Sequence, residues 1–399
     1  MLSSSAVNAA SAKSLRIRTI TAGVTLRDAS DLGPVEAAAA AVARGKQVLV
    51  DAGYEVQTLR IATNPFLSGL DARAREKALA ALQALDRAAA QHGLVLSVGP
   101  ALTANAADEA FPEWAAQFVR STRTLSFSAV IAGPDGIHGQ TAAVAARTMI
   151  AIARALPDGI GNFRFAAAAN IPAGTPFFPV AWHQGEDSLA VGVESASVVE
   201  EALQGAGDAV TATARLRQQL SAALLPVERL AQQFAARERR TYLGIDSSPA
   251  PGKDRSIAAA VEALTRKPFG SNSTLEACGA ITAALKSLDV KTCGYSGLML
   301  PVLEDPLLAQ RAGEKRFGIR ELLLYSSVCG TGLDVVPIPG DSEADAITGL
   351  LRDVAALSSK LSKPLSARLF IVPGKRAGDI ARFTDPVLTD SVVMQLEQP

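Results

Sequence analysis

The chain is expected to fold as an α/β protein with mainly parallel strands, in a sheet either open or closed into a barrel. Two observations carry this expectation. The N-terminal half alternates β-prone with helix-prone segments. At 399 residues and 48% hydrophobic content, it also has enough apolar material for a sizeable core. Leu15–Ala22 alternates and is β-rich, which predicts a strand. Pro34–Ala52 is Ala-rich, with Pro34 suited to a first helical turn. Tyr54–Ile61 reads as a strand, Leu70–Gln91 as a long helix and Leu94–Val98 as a strand. Thr124–Ala132 is apolar and β-prone, and Gly139–Ala155 follows as a helix. Phe163–Ala169 and Leu189–Val193 are two further buried strands.

Residues 197–243 have a different character and predict a long helical segment. The stretch has no Gly after Gly207 and a single proline, Pro226. Thr211–Arg240 is rich in Ala, Leu, Gln and Arg, with a kink expected at Pro226. It is expected to pack across the sheet or barrel, or to face a partner subunit in a homo-oligomer. Ser248–Lys253 is a loop, since Pro and Gly supply three of the four residues 249–252. Helices are predicted at Ile257–Thr265, Thr274–Leu288 and Glu343–Ser359. Strands at Leu365–Val372 and Ser391–Leu396 close the chain. Neither an internal repeat nor an interdomain linker is visible, so residues 15–399 are expected to form one domain. The first fourteen residues are Ser/Ala-rich with one charge, Lys13. They read as a disordered terminus or a short transit peptide.

Bulk composition narrows the functional classes. Thirty-nine basic and 39 acidic residues balance, so the chain lacks the basic footprint of nucleic-acid binding or of a polybasic membrane surface. No apolar run reaches the eighteen or so residues of a membrane span. Three cysteines at uneven spacing do not form a disulfide framework, which favours a reducing, cytoplasmic setting.

Candidate chemistry is scattered over several Pro/Gly-rich loops. Arg60-Ile-Ala-Thr-Asn-Pro-Phe66 ends a predicted strand, the place where α/β proteins put ligands. Arg60 suits bidentate capture of a carboxylate, with Thr63 and Asn64 as further polar contacts. Residues 170–183 run from Asn170 to His183 and hold three prolines, two phenylalanines and a tryptophan, a composition suited to a pocket wall. His183 is a candidate base or metal ligand, or a hydrogen-bonded packing residue. His138 reads as a solvated turn residue or cap, and His92 as a helix-end charge. Glu194 and Asp246 end strands and are candidates for an acid/base pair, or for a divalent-cation site with Asp334 or Asp341. Capping and turn formation by Asp246-Ser-Ser248 is an equal alternative. Ser271, in Phe269-Gly-Ser-Asn-Ser-Thr274, opens a helix and is a candidate anion contact or a simple cap. Arg368 and Lys375 are candidate cations for an anionic substrate.

Cys293 and Cys329 lie in Gly-rich stretches, Lys291–Pro301 and Ser326–Asp334. Cys278 sits in a predicted helix. No CxxC pair is present, so zinc and iron–sulfur sites are not indicated. Cys329, before Gly330-Thr-Gly332, is expected on an exposed turn. It is either a thiolate nucleophile or a buried, inert cysteine. Motifs of the GxGxxG, GxSxG, HExxH and Walker types are absent from the sequence.

Several of these motifs together resemble those of the uncharacterised family known as domain of unknown function 711, or uncharacterised protein family 0210. The carriers are Arg18–Gly23, Thr58–Phe66, Asn170–Gly174, Gly244–Pro249, Lys291–Pro301, Ser326–Asp341 and Ala367–Lys375. The resemblance spans nearly the whole chain from about Leu15. It implies a fold similar to the pyruvate formate-lyase barrel, with ten strands and a central finger-like loop on which Cys329 would be the finger cysteine. The glycine-radical motif of that superfamily is not found near the C-terminus. The last glycine is Gly378, in Lys375-Arg-Ala-Gly-Asp379. A glycyl radical is therefore not expected, and fold alone does not transfer function.

The expectation is an enzyme acting on a small anionic metabolite, an amino or oxo acid. Cys329, His183, Glu194, Asp246 and Cys293 are its candidate catalytic groups. Arg60, Thr63, Asn64, Asn170, Ser271, Arg368 and Lys375 are its candidate substrate contacts. A divalent cation at Asp334 and Asp341 is the candidate cofactor. The alternative is a metabolite-binding protein without turnover on the same fold.

Overall fold

The computed structural model describes residues 15–252 and 255–397. The expected terminal segment 1–14 lies outside the described residues. The chain begins with β1 (Arg16–Val24), α1 (Leu32–Asp51), β2 (Val56–Thr63), α2 (Ala72–Gln91) and β3 (Leu94–Leu102). It continues through α3 (Phe111–Ser121), β4 (Leu125–Gly133), the two-residue β5 (Gly136–Ile137) and α4 (Gly139–Ala155). A 3-10 helix (Pro157–Arg164) then leads into β6 (Phe165–Ala169), β7 (Ser188–Glu194), α5 (Ala196–Leu203), α6 (Ala209–Arg237) and β8 (Thr241–Asp246). Helices α7 (Ile257–Thr265), α8 (Thr274–Lys286), α9 (Pro306–Gly313) and α10 (Ile319–Tyr325) follow. The chain closes with β9 (Gly332–Pro339), α11 (Ala344–Leu361), β10 (Leu365–Val372), β11 (Ile380–Ala381) and β12 (Ser391–Val392).

The result is a ten-stranded, mostly parallel sheet in the order β8-β7-β1-β2-β3-β4-β6-β10-β9, with β5 paired to β4. β1, β2, β3, β4 and β6 run parallel to one another. β7 and β10 join this group antiparallel at its two sides, and each carries a parallel neighbour, β8 or β9. The hydrogen-bonded ladder is open, with β8 and β9 at its ends. Each end makes one isolated bridge to residues 291–301, at Ile245–Thr292 and Pro301–Asp334.

Local chemistry accounts for most of the helices. Asp71, Asp208 and Ser256 cap α2, α6 and α7 by accepting from backbone N–H groups three residues on. Asp305 caps α9 twice, ahead of Pro306 at its first position. The aromatic core gathers Phe111, Trp114 and Phe118 of α3 around Phe127 and Phe165 of the sheet. Among the described residues, no helix is long and apolar enough to cross a membrane.

Several elements depart from expectation. The helical stretch 197–243 is two helices separated at Gly205 and Gly207, both at positive φ, and its end is already strand β8. α6 packs its apolar face onto α5, α8 and β8. Phe163 and Arg164 end the 3-10 helix rather than start a strand. Ser391–Leu396 reduces to the short β12, paired with β11 away from the main sheet. Asp334–Asp341 reads as a loop because of Pro337 and Pro339, yet most of it is β9. An end strand tolerates prolines because its outer N–H groups need no ladder partner. α3, α9 and α10 are helices that the sequence reading does not include, although Pro112 in the first turn of α3 and Pro306 at the start of α9 are helix-start signals.

The two Gly-rich stretches cross at Gly297 and Gly330. A methyl group on either glycine would overlap the other's Cα. Gly330 N–H also donates to the Leu298 carbonyl at 3.0 Å, so the backbones cannot separate without losing that bond. Gly330→Ala is therefore expected to destabilise the protein by about 2–4 kcal/mol. Chemical denaturation would measure this, and a loss below the error of the method would contradict the tight crossing.

Candidate functional site

A cavity of about 640 Å3 opens on one face of the sheet. Its floor is built from Arg18 of β1, Thr58 and Arg60 of β2, Val95 of β3, Ser126 of β4 and Arg368 of β10. These residues sit in the first half or middle of their strands, not at the carboxyl ends. β7 and β8 run the other way, so they contribute their last residues, Glu194 and Asp246.

Charge dominates the floor. Arg18 Nη2 donates to Glu304 Oε2 at 2.8 Å, and Arg368 Nη2 donates to Glu304 Oε1 at 3.1 Å. Arg368 Nε also donates to Asp334 Oδ1 at 2.8 Å. Glu304, Arg368 and Asp334 are all nearly inaccessible to solvent. Burial pushes the Glu304 carboxyl up, but Arg18 and Arg368 outweigh it and hold Glu304 below its ordinary value. Burial raises Asp334, and Arg368 only partly offsets it, with the Glu304 charge adding to the rise. Asp334 reaches Arg368 from a bulge. Asp334 and Val335 together face the register position of Arg368, and Val335 has φ +39°. A β-branched residue in that region is strained.

Arg60 differs from the other two cavity-floor guanidiniums. Its Nε donates to Thr58 Oγ1 at 3.2 Å, and the group lies over the Phe178 ring, 5.0 Å from the centroid. Among the described residues, no carboxylate pairs with it. It lines the cavity and is only partly exposed. Burial, with the nearby Arg18 and Arg368 charges, pushes its pKa down to about 9. It remains charged at neutral pH, in an environment that disfavours the charge.

Asp246 lies at the opposite wall. Its Oδ1 accepts from Ser248 N at 3.0 Å, Ser248 Oγ at 2.6 Å and Ser296 N at 3.1 Å, and Oδ2 accepts from Tyr295 N at 3.3 Å. The Gly-rich stretch 293–297 thus wraps this carboxylate. Gly294, at φ +62°, leaves no room for a methyl group beside it. Burial raises the Asp246 pKa despite the four donors. At the mouth, Arg16 pairs with Glu194 at 3.0 Å, and Gln57 also donates to Glu194.

Over residues 9–385 the sequence matches the family described as Uncharacterised ACR (DUF711). The chain belongs to the DUF711 family. It is 31% identical over 349 residues to a UPF0210 protein of Pyrobaculum arsenaticum, covering 82% of this chain and 76% of the relative. A UPF0210 protein of Methanopyrus kandleri is 28% identical over 402 residues, with 92% and 88% covered. One of Desulforudis audaxviator is 27% identical over 409 residues, with 93% and 88% covered.

Of the anticipated site residues of this DUF711 protein, Arg60, Arg368, Glu194 and Asp246 line the cavity. Asp334 stands behind Arg368. The thiols lie elsewhere. Cys329 is wholly buried after α10, not on an exposed turn, because the chain folds back under Gly297. Its carbonyl, with those of Ser326 and Ser327, accepts from Lys363 Nζ. Cys293 is outside the lining, and burial and Asp246 push its thiol well up, which disfavours a thiolate. His183 is buried between Ser188 Oγ and the Gly185 carbonyl, each 3.2 Å from a ring nitrogen, and burial lowers its pKa. It lines a separate small void with Gly23 and Ser188.

The remaining candidates hold structure. Thr63 donates to the Asn64 carbonyl, and Asn64 clasps the backbone of Leu26. Asn170 donates to Ser358 at 2.9 Å, and Ser271 forms the turn before α8. Lys375 and Asp341 are exposed in loops beyond the sheet. Asp334 and Asp341 therefore do not share a site, and no group of three potential metal ligands gathers among the described residues. His138 is buried and bonded to Asp135 at 2.8 Å, not solvated.

The residues overlooked in the sequence are Arg16, Arg18, Gln57, Glu304 and the Phe163 side chain. Arg16 and Arg18 carried a signal: two arginines at alternate positions put charge on one face of an otherwise apolar strand. Glu304 carried none, since Glu before Asp305-Pro306 looks like ordinary helix-start chemistry.

Glu304→Gln is expected to cost about 3–5 kcal/mol, because it strips the shared partner from two buried guanidiniums. Urea denaturation would show it, and a change under about 1 kcal/mol would mean the pair is not buried as described. Asp246 makes a pH prediction. Its folded pKa lies above the ordinary 3.8, so stability associated with the protonated form is complete below that value and is lost as pH rises through the folded pKa. Asp246→Asn is expected to flatten the fall in stability above about pH 4. An unchanged slope in melting temperature against pH would refute the assignment.

Proposed function

We propose that the chain binds a small organic anion in the cavity, with Arg60 as its anchor and Asp246 as the acid/base group acting on it. The observation that carries this reading is the Arg60 guanidinium, held in the cavity without a carboxylate among the described residues. Arg18, Arg60 and Arg368 face Glu304 and Asp334, so the floor has one positive charge in excess. An incoming carboxylate would supply the missing partner through a charge-assisted pair. The cavity volume lies in the ordinary range for small-molecule sites. Asp246, whose carboxyl burial pushes above its ordinary value and which stands in the cavity wall, is the group placed to exchange a proton with a ligand.

Thiol chemistry loses its support, since neither Cys329 nor Cys293 lines the cavity. That same observation favours a second reading, binding without turnover, because the acid/base chemistry then rests on Asp246 alone. A barrel similar to pyruvate formate-lyase is part of this proposal. It is supported by the isolated bridges from residues 291–301 to both β8 and β9, through which that segment would join the two ends of the nine-strand path.

Arg60→Met keeps the apolar stem over Phe178 and removes the charge. It is expected to leave stability unchanged or higher. Binding of small carboxylates, measured by calorimetry across an acid library, is expected to weaken roughly 10–100-fold. Equal binding by the variant would place the anion site elsewhere.

A further inference from the structure

The cavity's charge count and wall together narrow the ligand class, and this step rests on the anion-binding reading. We infer that the ligand is a monocarboxylic acid with an apolar, flat or branched body, not a phosphate ester or a polyhydroxy acid.

Charge sets the first limit. Glu304 takes up both Arg18 and Arg368, and Asp334 adds to Arg368. Arg164, also in the lining, gives its Nη groups to Thr122 and to the carbonyls of Val119 and Leu125, which leaves Arg60 as the guanidinium best placed to answer an anion. A phosphate ester carries nearly two charges and three strong acceptor oxygens. Protein sites for it commonly present the N–H groups of a helix N-terminus. Among the described residues, none that lines this cavity belongs to an α-helix.

Hydrogen bonding sets the second limit. Glu194 is occupied by Arg16 and Gln57, and Asp246 by four donors. A ligand with several hydroxyls would bury groups that find no partner, a mismatch that proteins discriminate against strongly.

The wall sets the third. Phe163, Phe177, Phe178, Val95, Val193 and Met299 are among its apolar lining residues. The Phe178 ring lies under the Arg60 guanidinium, so a carboxylate paired with Arg60 lays its carbon skeleton along Phe178 and Phe177. Phe177 is held rigidly, edge-on to Tyr295 with centroids 5.0 Å apart, and Tyr295 is itself anchored to Ser366 by a 2.7 Å hydrogen bond. A preformed apolar wall beside one cation fits an amphipathic acid.

Isothermal calorimetry on the full chain with five probes tests this: 3-phenylpropanoate, 4-methylpentanoate, acetate, 3-phenylpropanamide and glucose 6-phosphate. The two longer acids are expected to bind at least roughly tenfold more tightly than acetate, and the neutral amide more weakly than its acid. Phe178→Leu, which keeps an apolar side chain in place, is expected to weaken 3-phenylpropanoate more than acetate. Circular dichroism confirms that the variant is folded. Tighter binding of glucose 6-phosphate, lost in Arg60→Met, would overturn the ligand class and leave the anion site standing. No binding of any probe, or binding indifferent to Arg60→Met, would overturn both.

Discussion

Glu304 joins two guanidiniums that the strand order keeps five places apart. Between β1 and β10 lie β2, β3, β4 and β6, which in a flat sheet would separate Arg18 from Arg368 by about 24 Å. Both nevertheless reach the two oxygens of one carboxylate. The sheet must therefore curl strongly, and its concave face must be the one that carries the arginines. The cavity is the space this curl leaves, and its chemistry is that of strand interiors. Arg60 stands among charges that Glu304 and Asp334 already balance, so its own charge is the one left for a guest.

Such a floor is difficult to stabilise. Buried ion pairs recover little more than their desolvation penalty, and a guanidinium without a carboxylate recovers less. The surrounding structure bears this through rigid supports: aromatic faces under Arg60 and Arg368, a strained bulge that brings Asp334 to Arg368, and a backbone nest that fixes Asp246. Conformational strain and unneutralised charge held at one place are commonly the mark of a functional site.

Much of the architecture is readable from periodicity. Gly139–Ala155, Ile257–Thr265 and Leu365–Val372 fall where the pattern puts them, because Ala-rich or continuous apolar runs with clear boundaries leave little competition. β9 is misread because two prolines look like loop chemistry unless one knows that the strand ends a ladder. The site is legible in part. Arg60 and Asp246 stand out as charges within apolar strands. Arg18 carries the same signal but no partner for it is visible nearby, and Glu304 carries none, because its meaning depends on a curl that no local pattern encodes. Cys329 misleads for the converse reason. Its glycines serve the crossing with Gly297, a packing requirement, and the scarce thiol beside them is carried into the core.

The sharing of Glu304 also has a consequence for how the chain is made. Arg18 is 286 residues from Glu304, and Arg368 lies 64 further on. At roughly 5–20 residues per second of synthesis, β1 waits on the order of tens of seconds before its arginine can be neutralised. During that interval the nascent chain presents an unmatched cationic strand on the ribosome. The cavity is thus among the last features to be completed: a polypeptide truncated before β10 would contain all eleven α-helices and lack Arg368 of the cavity floor.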